Sequence, residues 1–146
     1  MSNVAVTIAK AVKDALNGNA FTEAFTASRT QLPEFKLADM KTLHVTVVPR
    51  SDASEALTRK QDEHMIGVDV AVQQRFGPSE MDDNVKIDAL LSLVQEIADF
   101  LNRLAMGDAI WKATENDPVY APEQLRELRQ FTSVLKLTYR LIRTPA

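Results

Sequence analysis

The sequence contains no cysteine. That excludes structural disulfides, thiolate nucleophiles and thiolate metal sites. Glycine is scarce, at four residues, and no arrangement of them gives a G-x-G-x-x-G or Walker pattern, so a glycine-built phosphate cradle is not expected. Aromatic residues make up only 6% of the chain, and they do not interleave with a basic face as single-strand nucleic-acid binding requires. Neither sign of charge dominates. Lysine and arginine number 17 against 20 acidic residues, a net charge of -3, which argues mildly against nonspecific nucleic-acid binding. No apolar run approaches the roughly 18 residues of a membrane helix. The segment Met1–Leu16 superficially resembles a targeting sequence, but Lys10, Lys13 and Asp14 interrupt it, so a mature amphipathic helix is expected.

What is present is ordinary for a folded domain. Apolar residues form 45% and charged residues 25% of 146 residues, enough for one domain with a real core. Ser2 or Asn3 can cap a first helix, about residues 3–17, with Val4, Ile8, Val12, Ala15 and Leu16 on one face. Asn17-Gly18-Asn19 is expected to end it through a left-handed residue. Ala20 to Arg29 alternates weakly and reads as a strand. Leu32, Phe35, Leu37 and Met40 form an irregular apolar connection around Pro33. Leu43 to Val48 is a short strand ending at Pro49, which lacks an amide donor. The clearest strand follows, with Ile66, Val68, Val70 and Val72 on one face, stopped by Gly77-Pro78-Ser79.

Asp82, Asp83 or Asn84 can cap a long central helix, about residues 84–105. Its stripe is Ile87, Leu90, Val94, Ile97, Leu101 and Leu104. A short strand around Trp111, a helical turn over Glu123–Arg129 and a long strand from Phe131 to Leu141 complete the chain. The expected fold is a single α+β domain over residues 1–146, mainly an antiparallel sheet packed against the N-terminal and central helices. Its odd feature is a long hairpin loop, about residues 49–63.

That loop holds most of the candidate chemistry. His44 and His64 begin the two strands that bracket it. With Asp62 and Glu63 they suggest a metal site, although two surface histidines at strand ends explain them more simply. Asp82-Asp83 is explained by a helix N-terminus without catalysis. No G-x-S-x-G elbow is present. We therefore expect no enzyme, catalytic residue, cofactor or metal, with a small metal-dependent hydrolase as the alternative of a different class. Arg50, Arg59 and Lys60 are offset by Asp52, Glu55, Asp62 and Glu63. Such a mixed-charge loop is ordinarily solvated. The sharper alternative is a contact with another subunit or partner through these seven residues, where charge patterning sets register.

Four blocks carry a resemblance: "TLHVTVVPRS", "TRKQDEHMIGVDVAVQQRF", "DNVKIDALLSLVQEIADFL" and "NDPVYAPEQLRELRQFTSVLKLTYRLIR". Together they make the chain resemble tail-terminator or tail-completion proteins of long-tailed bacteriophages and prophages, from about Phe21 to Arg143. The resemblance implies an α+β virion protein without catalytic residues, made in the host cytoplasm and located in the tail or neck. It implies a homo-oligomeric ring, usually a hexamer, that caps the tail tube and joins it to the head-side connector. DNA would only pass through the lumen, and no membrane is involved. A head-closure or head–tail adaptor protein and a tail-tube subunit are the neighbouring alternatives.

Overall fold

The structure is a computed structural model that describes residues 3–30, 43–76, 84–128 and 130–144. Helix α1 spans Val4–Asn17. Asn3 caps it, its side-chain oxygen accepting from the Val6 N–H at 3.2 Å. Its buried face is Ala5, Ile8, Ala9, Val12 and Leu16. The C-terminus departs from expectation, since Gly18 is right-handed at φ -84°. Asn17 instead turns its amide onto the next strand, accepting from the Ala27 N–H at 2.7 Å and donating to the Ala27 carbonyl at 3.1 Å.

That strand, β1, is only Ala27–Arg29. The weak alternation before it does not become a ladder, because Phe21 and Phe25 stack on each other and Phe21 meets Phe100 edge-on at 5.5 Å. The Thr22 N–H bonds to the Glu96 carboxylate rather than to a strand. Strand β2 is His44–Ala56 and β3 is Asp62–Arg75. Helix α2 covers Asn84–Leu101, shorter than expected, because Arg103 takes a left-handed φ of 65° just beyond it. Strand β4 (Ile110–Glu115), helix α3 (Pro122–Leu128) and strand β5 (Gln130–Arg143) follow. The expected connection through Leu32, Phe35, Leu37 and Met40, the stop at Gly77-Pro78-Ser79 and the cap at Asp82 or Asp83 lie outside the described residues.

The five strands form one sheet in the order β1-β2-β3-β5-β4. Only β1–β2 is parallel; the other three pairs are antiparallel. The α+β architecture with an N-terminal and a central helix is thus as expected. Directly paired residues share a face. Val45 and Val47, then Ile66, Val68, Val70 and Val72, then Leu135, Leu137 and Tyr139 form one buried surface. Helix α1 lies over β1, β2 and β3, and α2 touches β5. Leu90, Leu93, Val94, Ile97 and Leu101 of α2 join the same core. At about 1.5–3 kcal/mol per fully buried large side chain, this face drives folding. No described helix is long and apolar enough to cross a membrane.

Candidate functional site

The stretch expected as a loop is mostly strand. β2 continues through Pro49 to Ala56, and β3 begins at Asp62, with Ala56 paired to Asp62. Only Leu57–Gln61 turns the chain. There the Leu57 and Thr58 N–H groups donate to the Gln61 carbonyl, at 2.9 and 3.1 Å. The Thr58 hydroxyl accepts from the Lys60 and Gln61 N–H groups. The long loop over 49–63 is therefore corrected to a paired hairpin arm. β5 runs alongside it to Arg143, opposite Asp62, so the arm is three-stranded.

A β-bulge makes the arm possible. Register shifts between Pro49 and Ser51, leaving Arg50 as the extra residue. Its guanidinium crosses over Gly67 to reach Asp69 at 2.7 Å and the Leu137 carbonyl at 3.4 Å. A Cβ at Gly67 would collide with this guanidinium and with the Ser51 hydroxyl. Burial pushes the Asp69 carboxyl above its ordinary pKa, and Arg50 and Lys136 pull it back part of the way. Pairing with Arg50 is thus what makes a half-buried aspartate tolerable in the sheet.

The candidate contact residues divide. Arg50 is committed to Asp69, Asp52 to His64 Nδ1 at 2.8 Å, and Glu63 to Arg140 at 2.8 Å. Glu55, Arg59 and Lys60 are exposed near the tip, and Asp62 is half-buried. None of these four makes an ion pair among the described residues.

The two histidines do not come together. His44 stands opposite Gln73, whereas His64 stands opposite Ser54. At about 3.3 Å per strand residue they are roughly 30 Å apart. The arm that appeared to bring the strand starts together separates them instead. Among the described residues no group of three or more histidine, aspartate or glutamate side chains is placed to hold a metal.

A shallow groove of about 460 Å³ lies beside the arm. It is lined by Val4, Thr7 and Ile8 of α1, Asp108, and Leu141 to Thr144 at the end of β5. Two further features escaped the sequence reading. The Arg50–Gly67–Asp69 crossing had one signal, a glycine inside the best strand pattern, which often marks a close approach. Among the described residues the buried Tyr139 hydroxyl has no hydrogen-bond partner, and burial pushes its pKa well above the ordinary value. Nothing in the alternation distinguished this tyrosine from its leucine neighbours.

Comparison of the chain with protein-family models finds no match, and comparison with curated proteins finds none.

Proposed function

We propose that this protein is a virion structural subunit, a tail terminator that forms a ring capping the tail tube and joining it to the head-side connector. The observation that carries this reading is the arm. From Arg50 to Ala56, β2 is exposed along its whole length, and its turn presents Leu57, Arg59 and Lys60 to solvent. A chain that only needed a stable core would gain nothing by extending ordered strands beyond its buried rows, because exposed polar residues bury little apolar surface to offset their ordering. Ordered, exposed and charge-patterned structure is what docking onto a neighbour requires. The four sequence blocks that resemble tail-terminator proteins specify the kind of neighbour: other copies of the chain, the tube protein and the head-side connector.

Negative-stain microscopy of the purified protein, alone and with isolated tail tubes, tests the reading. Single rings, or a single added layer at the tube end, are expected. Long tubes of the protein itself would point to a tube subunit. Binding to head connectors but not to tubes would point to a head-closure or head–tail adaptor protein.

A further inference from the structure

Among the described residues the sheet has two open edges, and they overlap at the base of the arm, where Ser51–Ala53 of β2 lie level with Ile110–Ala113 of β4. Among the described residues β1 covers β2 only from Val45 to Val47, and no other strand pairs with the outer side of β2 from Arg50 onward. β4 forms the opposite edge and pairs only with β5. Among the described residues, neither outer edge has a backbone partner.

Three features make these edges fit each other. The first is height. Ala53 pairs with Met65, Met65 with Arg140, and Arg140 with Ile110, so Ala53 and Ile110 end the same row across four strands. The second is polarity. β2 runs antiparallel to β3, β3 to β5, and β5 to β4, so the two edge strands point in opposite directions. A second copy placed beside the first in the same orientation therefore sets its β2 antiparallel to β4, the geometry of an ordinary ladder. The third is curvature. The bulge in β2 at Arg50 and the shift in β4 between Trp111 and Ala113 lie in adjoining rows, on either side of Thr138. Both edges thus bend at nearly the same level.

The β2 edge also has donors and acceptors turned outward. Leu57 donates to the Gln61 carbonyl, and bonding alternates along an antiparallel pair. Glu55, Ala53 and Ser51 therefore bond to β3, while Asp52, Ser54 and Ala56 present their N–H and C=O groups to the open side. Bulges and charges commonly guard sheet edges, but beyond Arg50 this one carries neither lysine nor proline, the stronger guards. Its small side chains, Ser51, Ala53, Ser54 and Ala56, allow close approach.

We infer that copies of this chain join head to tail by strand addition, the β2 arm edge of one subunit pairing antiparallel with β4 of the next. Such a heterologous contact closes into a ring when its rotation closes. The inference names the subunit contact of the proposed ring and rests on that reading.

Because the chain contains no cysteine, cross-linking tests the contact without background. Ala53→Cys and Ile110→Cys proteins are prepared separately, mixed and oxidised. The contact predicts a covalent dimer that contains one of each and does not form from either alone. Scanning the cysteine from Ser51 to Ala56 allows for a shifted register. Cross-linking of β2-edge variants with themselves, or no cross-link at any position, overturns the inference. Asp52→Pro gives an independent arm. Asp52 ends the row that reaches Trp111 of β4, and proline there removes an outward N–H but no bond to β3, so circular dichroism should be unchanged while self-association is lost. A folded Asp52→Pro protein that associates like the parent also overturns it. Assemblies of ring mass without the cross-link reject this contact and leave the ring standing. A chain that remains monomeric with and without tail tubes rejects both.

Discussion

Strand β2 contains both kinds of structure found in this molecule. Its first half holds Val45 and Val47, both buried in the face beneath α1. Its second half, Ser51 to Ala56, is exposed throughout. Both halves pair with β3 in a continuous antiparallel ladder, broken only at the Arg50 bulge. The backbone is the same while the energetics differ. At the core end, apolar burial stabilises the ladder. In the arm, the ladder is held by β3, by the Arg140–Glu63 ion pair and by the Asp52–His64 hydrogen bond, contacts that stabilise little when exposed. Secondary structure alone therefore does not reveal which part of a sheet builds the core and which part stays exposed.

The sharpest way to break this comparison is a charge in each half. Val70→Asp or Ile97→Asp places a carboxylate where the parent residue is wholly buried. Uncompensated burial of this kind costs several kcal/mol, comparable to the whole stability of a domain. Neither variant should yield folded protein by circular dichroism, whereas Ala53→Asp in the arm should melt like the parent.

A smaller core change refines the same contrast. Leu137→Ala, within the buried face, should lose about 2–5 kcal/mol in urea unfolding. Removing Ser54–Lys60 from the arm should leave the melting of the body nearly unchanged while impairing assembly.

The junction between the halves should respond to pH. Asp69 has its pKa raised in the fold, so its ionised form weakens the protein at neutral pH, and acid relieves this as the carboxyl protonates. Arg50 limits that penalty. Arg50→Met should therefore destabilise by about 1–3 kcal/mol at neutral pH. The deficit should shrink as the pH falls through the carboxylate range. A deficit that stays constant from neutral to acid pH would show that Arg50 acts through packing rather than through Asp69. The smallest effect belongs to the outer arm, where Asp52→Asn, which weakens the His64 pair, should shift stability by at most about 1 kcal/mol.

The sequence made the core half legible and concealed the arm. Ile66, Val68, Val70 and Val72 alternate because one face meets helices, and the spacing of Leu90, Val94, Ile97 and Leu101 identified α2 for the same reason. Ser51-Asp52-Ala53-Ser54-Glu55-Ala56 has low strand preference and two wet faces, so neither period nor composition signals a strand. Its conformation comes from its pairing with β3. The error about the histidines followed from that one, since a loop would have brought them together and a ladder holds them apart. The bulge at Arg50 and its dependence on Gly67 are tertiary facts, set by a guanidinium crossing one strand to reach another.

The central claim is that the exposed half of the sheet exists to assemble copies of the chain at the end of a tail tube. The most direct test is the mass of the protein in solution, with and without purified tail tubes. The account predicts a closed ring of uniform mass, either free or formed when tubes are added and confined to one layer at the tube end. A strictly monomeric protein that leaves tubes unbound would contradict it.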